Sequence, residues 1–239
     1  MVTDPFQHRP GVLVFDMDGV LVEVTQSYRE AIRETVHHFT GKTVSHDLIQ
    51  DFKDQGGWNN DWLLSKRLIA DHGKQVSYEE VVDYFNSIFL GSNGDGMIRH
   101  EKWMPSPGLF DRLTEYAALA IFTGRAKYEA DITLARHADS VRFDPIITDE
   151  LVAHPKPAPD GLELIRQHYP DKHIWYLGDT VDDARSAQAA QVPFIGVAMP
   201  HSPRHKQNAQ LLRELGAFAV LQDVNELEGL VSSAHARAK

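Results

Sequence analysis

The chain has 239 residues, enough for one large domain or for a core domain carrying a smaller insert. Hydrophobic residues make up 42% and charged residues 24%, which excludes a disordered chain, and the formal net charge of −10 argues against a nucleic-acid partner, because a phosphate backbone needs a basic face. With no cysteine, disulfides, thiolate catalysis and cysteine-based zinc sites are all excluded.

The first ten residues, with Asp4, Pro5, His8, Arg9 and Pro10, lack the apolar h-region of a secretory signal. No apolar run approaches the ~20 residues that span a bilayer, so no membrane association is expected and a cytoplasmic protein is the simplest reading. Val12 to Phe15 then reads as a buried strand. Between Val22 and about Met104 no strand is predicted, only helical segments at Gln26 to Phe39, His46 to Lys53, Asp61 to Asp71 and Ser77 to Leu90. The third and fourth carry apolar residues at helical spacing, Leu64 with Leu68 and Val81 with Phe85 and Phe89. The glycine-rich loop from Gly91 to Gly96 and the turn from Pro105 to Gly108 lead back toward a sheet.

From there strands and helices alternate. Strands are predicted at Leu119 to Phe122, Ile146 to Ile147, Ile174 to Leu177, Phe194 to Val197 and, on a weaker signal, Phe218 to Leu221. Helices are predicted at Gly108 to Tyr116, Lys127 to Ala138, Pro159 to His168 and Asp182 to Gln191. Short apolar strands alternating with amphipathic helices give an α/β fold, a doubly wound parallel sheet. The expected organisation is a core of residues 1–22 and 105–239, with a helical domain of residues 23–104 inserted after the first strand.

Ligands of open α/β sheets bind outside the carboxyl ends of the strands, and four polar clusters fall at such ends. Asp16-Met-Asp-Gly-Val20 puts two carboxylates at i and i+2, where they can share a cation. Thr123-Gly-Arg125 offers a hydroxyl and backbone N–H groups to an anion just before a helix. His154-Pro-Lys-Pro-Ala-Pro159 stiffens a helix entry and fixes Lys156. Gly178-Asp-Thr-Val-Asp-Asp183 packs three carboxylates that repel one another without a cation or hydrogen bonds, and hard oxygen ligands alone point to Mg²⁺. Alone, each cluster has an ordinary explanation in a solvated turn, a helix cap, a stiff surface turn or an acidic helix start. Their occurrence in this order at successive strand ends does not.

With these motifs the chain resembles the haloacid dehalogenase superfamily over nearly its whole length. Asp16-Met-Asp-Gly-Val-Leu21 is similar to the family's first motif, Thr123 falls at its second, Lys156 at its third and Gly178-Asp-Thr-Val-Asp-Asp183 at its fourth. The stretch from Ala184 to Val197 resembles phosphoglycolate-phosphatase-like members of subfamily IA, and the helical insert lies where that branch carries its C1 cap. The resemblance implies a phosphatase of a small-molecule phosphoester, as monomer or homodimer. Asp16 would be the nucleophile and Asp18 the general acid and base. Thr123 and Lys156 would hold the phosphoryl oxygens, with Gly124 and Arg125 at the substrate. Mg²⁺ would be held by Asp16, Asp18 through its carbonyl, Asp179 and Asp183, with Asp182 as the alternative to Asp183. Dehalogenases of the superfamily lack an acid where Asp18 stands, which favours phosphoester chemistry. A phosphomutase on the same core, or a non-catalytic phospholigand-binding protein, are the alternatives.

In the cap, Gly56-Gly-Trp-Asn-Asn-Asp-Trp62 lies between two predicted helices. One reading has Gly57, Trp58, Asn59 and Asn60 close over the site and contact the organic part of the substrate. The other has Asp61 cap a helix and Trp62 enter the cap core. The segment also resembles a branch with a similar Gly-Gly-x-Asn-Asn-Asp-Trp sequence, some members of which are associated with histidine biosynthesis. Histidinol phosphate therefore joins phosphoglycolate and sugar phosphates as a candidate substrate. His37-His38 and His201-Ser-Pro-Arg-His205 lack matching carboxylates and read as solvated histidines.

Overall fold

The computed structural model describes residues 9–92, 94–200, 202 and 204–237. Residues 1–8, which contain most of the segment read for a secretory signal, and His201 lie outside them. In chain order the elements are β1 (Val12–Phe15), β2 (Val22–Glu23), α1 (Tyr28–Thr40), α2 (His46–Gln55), α3 (Asp61–Asp71), α4 (Tyr78–Phe89) and β3 (Lys102–Trp103). They continue with α5 (Leu109–Thr114), β4 (Ala118–Phe122), α6 (Lys127–His137), β5 (Ile146–Ile147), α7 (Asp160–His168), β6 (Ile174–Gly178) and α8 (Val181–Ala190). The last four are β7 (Phe194–Val197), α9 (His205–Glu214), β8 (Ala219–Leu221) and α10 (Leu227–Arg237). None of the described helices is long and apolar enough to cross a membrane.

The chain forms two units, one reaching to Val22 and resuming at Trp103, the other Glu23–Lys102. The first is built on a six-stranded parallel sheet in the order β5-β4-β1-β6-β7-β8. From β1 the chain winds outward through β4 to β5, then returns to β6 and winds the other way. The order thus reverses beside β1, where open sheets leave a crevice at their carboxyl ends. β1 and β6 are buried throughout, as strands covered on both faces must be. Val12, Val14, Ala120, Phe122, Ile165, Tyr176 and Phe194 belong to one apolar cluster. Elsewhere Phe15, Phe110 and Phe143 meet edge to face, with centroids 5.1 to 6.2 Å apart.

The second unit is helical. α1, α3 and α4 pack on one another, with Ala31, Ile32, Leu64, Leu68, Val81 and Phe85 buried. The Tyr28 and Phe89 rings lie 4.1 Å apart. Ser77 starts α4 with a capping box, its hydroxyl accepting from the Glu80 N–H while the Glu80 carboxylate accepts from the Ser77 N–H. Gly41, in the left-handed region, ends α1.

Two expectations change. The sequence predicts no strand between Val22 and Met104, yet β2 and β3 form a two-stranded sheet where the chain leaves the core unit and returns to it. Strands of two residues are too short to show a period of two. No helix is predicted after Gln191, yet α9 and α10 form. α9 buries only Ala209 and Leu212 within a polar segment, so its apolar stripe is too thin to read.

Candidate active site

Asp16 emerges from the carboxyl end of β1 and is buried, its N–H donating to the Leu177 carbonyl at 2.9 Å. The next turn closes around one acceptor, the Met17 carbonyl, which takes the N–H groups of Leu21 and Val22 at 2.8 and 2.9 Å. Gly19 makes that turn at φ 73, and a Cβ there would overlap the Asp179 carboxylate. Glycine is thus required twice, by the left-handed backbone and by the carboxylate beside it. At the end of β6, a Cβ on Gly178 would likewise overlap the Asp183 side chain.

Asp16, Asp179 and Asp183 each place a carboxylate oxygen within 4.8 Å of the others, the described residues' cluster with the makings of a metal site. Asp182, although buried, is not part of it. Facing the cluster is Lys156, held before α7. Its Nζ donates to Asp16 Oδ1 at 2.8 Å and to Asp183 Oδ1 at 2.7 Å. The ammonium also lies 4.8 Å from the Phe122 ring centroid and 5.4 Å from that of Tyr176.

Asp183 is the better satisfied of the two carboxylates. Besides Lys156 it accepts from Tyr176 Oη at 2.5 Å, and from the Thr180 hydroxyl at 2.6 Å and N–H at 3.0 Å. Thr180 caps α8 and takes the Asp183 N–H in return. Lys156 is the hydrogen-bond donor to Asp16's side chain.

The charges follow from this inequality. Burial pushes Asp16 up from its ordinary 3.8 to about 7; Lys156 opposes the rise, while Asp183 and Asp18 add to it. Burial also works against charge on Asp183, but Lys156 and the hydrogen bonds from Thr180 and Tyr176 outweigh it and hold that carboxyl below its usual range. Lys156 is pressed toward neutrality by burial and raised above its ordinary value by Asp16 and Asp183. Burial, reinforced by Asp183, lifts Tyr176 well above 10 and keeps it a donor. Three clustered carboxylates, two of them paired with one ammonium, leave a formal charge of −2. That charge, and the all-oxygen donor set, fit one hard divalent cation such as Mg²⁺.

The remaining predicted residues of the core are not members of this cluster. Thr123 is buried at the end of β4, and its Oγ1 accepts the Arg125 N–H at 3.2 Å. Gly124 is exposed. Asp18 has a side chain 36% exposed. The Arg125 side chain does not open to solvent: its Nε and Nη2 donate to Asp18 Oδ1 at 2.9 and 2.5 Å, and its Nη1 to Thr133 Oγ1 at 2.7 Å.

Within the cap unit, Gly57 adopts φ 78. The Trp58 ring meets Phe52 edge to face at 5.1 Å, and the carbonyl of Asn59 lies 3.5 Å from Lys53 Nζ. Asn60, not Asp61, caps α3, accepting the Leu63 N–H at 2.9 Å. Asp61 pairs with Lys53 at 2.5 Å, and Trp62 meets Phe85 edge to face. His37 and His38 are exposed on α1.

Sequence reasoning missed Tyr176, Phe122 and Thr180. The first two sit in strands buried along almost their whole length, where no alternation tells which side chains reach the site. Thr180 had a signal, since Thr-x-x-Asp before an apolar run is a variant of the capping box.

A family model described as haloacid dehalogenase-like hydrolase matches residues 11–191. An imidazoleglycerol-phosphate dehydratase of Phytophthora nicotianae is 32% identical over 243 residues, covering 95% of this chain but 54% of that protein, so the chain spans about half its length. A phosphoglycolate phosphatase of Mesorhizobium japonicum is 26% identical over 229 residues, covering 90% of this chain and 92% of its own. Among solved structures, a phosphonoacetaldehyde hydrolase-like protein from Oleispira antarctica has a TM-score of 0.78 over 97% of this chain and 95% of its own, at 15% identity, a likeness of fold.

Proposed function

The chain belongs to the haloacid dehalogenase-like hydrolases, and on that premise we propose that it is a Mg²⁺-dependent phosphatase that hydrolyses a small phosphomonoester through an aspartyl-phosphate on Asp16. The observation that carries this reading is the cluster of buried Asp16 and Asp183 with half-buried Asp179, the first two paired with Lys156. Within it, burial raises Asp16 to about 7 and its carboxylate is bonded to the ammonium.

Asp16, Asp179, Asp183 and the Asp18 carbonyl would hold Mg²⁺. When bound, the ion supplies charge neutralisation, so that an anionic phosphoryl group can approach an anionic nucleophile. Asp16 attacks phosphorus, and the bond from phosphorus to the ester oxygen breaks. Asp18 gives its proton to the departing oxygen, then takes one from the water that hydrolyses the aspartyl-phosphate. Lys156 neutralises charge on Asp16 and the phosphoryl oxygens, and the Thr123 hydroxyl and Gly124 N–H bind those oxygens. In this reading Gly57, Trp58, Asn59 and Asn60 contact the organic part of the ester.

Among the candidate esters, histidinol phosphate draws support from a relative named for an imidazoleglycerol phosphate enzyme, since both molecules are phosphates of an imidazole-bearing alcohol. Phosphoglycolate draws support from the Mesorhizobium relative. Phosphate release from these two, from several sugar phosphates and from p-nitrophenyl phosphate, with Mg²⁺ and then with excess EDTA, tests the reading. Release that needs Mg²⁺ is expected, and the preferred ester names the substrate. Silence across the panel from folded protein with Mg²⁺ would overturn it in favour of a mutase or a binding protein.

A further inference from the structure

We propose that Arg125 is a positioning residue that holds the Asp18 carboxylate for proton transfer, and not a cation that grips the substrate; this rests on Asp18 being the general acid and base. A guanidinium meant for a substrate phosphate must present donors to it, and the Arg125 side chain is 1% exposed. Two of its nitrogens converge on one oxygen, Asp18 Oδ1, and a third is anchored on Thr133 Oγ1, a buried group on α6. Its main chain is fixed as well, with its N–H on Thr123 Oγ1 and its carbonyl accepting the Asp149 N–H at 3.1 Å. Arg125 therefore ties the second motif to the first through a rigid, planar donor set, which a lysine does not reproduce.

The arrangement also separates the two oxygens of Asp18. Oδ1 takes both guanidinium bonds, and no donor among the described residues reaches Oδ2. A carboxyl group held by one oxygen keeps the other for a proton, so the contact is compatible with both the acid and the base step. Without Arg125 the partly exposed Asp18 side chain would sample several rotamers, few of them in reach of the reacting oxygen.

Leaving-group dependence tests this. Phenolate from phenyl phosphate needs a proton far more than nitrophenolate from p-nitrophenyl phosphate does. kcat/KM, which reports the step that phosphorylates Asp16, is measured with Mg²⁺ for both esters, alongside thermal melting. Asp18→Asn is expected to widen the ratio of the two kcat/KM values by at least about tenfold. Arg125→Met should widen it in the same direction, Arg125→Lys less, and adding Arg125→Met to Asp18→Asn should widen it no further. Thr133→Val, a near-isosteric change that loosens the guanidinium, should widen it by roughly twofold and decides the matter with Arg125→Lys if Arg125→Met does not fold. Equal losses on both esters in the folded Arg125 and Thr133 variants, or losses additive with Asp18→Asn, would overturn the proposal and indicate a substrate-gripping or purely structural role. An unchanged ratio in Asp18→Asn itself would instead bring down the acid–base assignment beneath it.

Discussion

In the core unit buried cations are held by several partners at once: Lys156 lies between buried Asp16 and Asp183, and Arg125 between the partly exposed Asp18 and the Thr133 hydroxyl. In the cap unit the polar residues around Gly56 and Gly57 serve local ends, Asn60 as a helix cap and Asp61 as the partner of Lys53. Around Lys156 the first arrangement is a network in which neighbours set one another's charge. The second is a set of separate contacts, each replaceable at small cost. A hydrolase that keeps one chemistry while its substrate changes needs this division, because reaction geometry tolerates little error and substrate contacts must be free to vary.

The largest expected effect falls on the network. Asp16→Asn should lower phosphate release by at least about 10⁴-fold while the protein stays folded by circular dichroism, and turnover retained in the pure variant would remove Asp16 as nucleophile. Next, Lys156→Met leaves Asp16 and Asp183 facing each other, with a cost of about 3–5 kcal/mol that urea unfolding without metal would register. A loss below about 1 kcal/mol would mean that the buried charges are not interdependent, and the contrast with the cap would fail.

A smaller effect depends on pH. Asp16 rises on folding from 3.8 to about 7, so its contribution to the stability of the metal-free protein is present below its unfolded value and lost as pH rises through about 7. Mg²⁺ favours the carboxylate, so its stabilising effect has the opposite sign and grows through the same window. The melting shift caused by Mg²⁺ should therefore be larger at about pH 8 than at about pH 5.5. A shift that does not change with pH would show that Asp16 is already ionised. The smallest effect belongs to the cap: Asn60→Ala should cost about 1 kcal/mol and Asn60→Asp much less. A larger loss from Asn60→Ala would show that the cap loop, too, is interlocked.

That Asp16, Asp179, Asp183 and Lys156 come together was legible because their motifs follow the strands in chain order, and carboxylates packed close to a glycine after an apolar run are uncommon in a mere scaffold. Partners contributed by buried strands were not legible, and Tyr176 reads as core until its hydroxyl is seen against Asp183. Arg125 is the opposite case. Its position beside Thr123 suggests a substrate ligand, and nothing in the sequence points its guanidinium at Asp18, the distant residue it meets in the structure. In the sheet, strand positions were readable from apolar runs bounded by turns, whereas β2 and β3 depend on a pairing between distant segments that no local pattern announces.

That pairing bears on how such a protein acquires a cap at all. The Met104 N–H donates to the Leu21 carbonyl at 2.9 Å, just beyond the ends of the inserted unit, so the chain departs and re-enters at one spot. To the parallel sheet, everything in Glu23–Lys102 is topologically one long excursion whose ends are already joined. The entropy of closing such an excursion grows only with the logarithm of its length, about 0.6 kcal/mol for each doubling. An ancestral turn at this place could therefore lengthen, gain helices or be exchanged for another domain with almost no thermodynamic penalty to the strands that carry the aspartates.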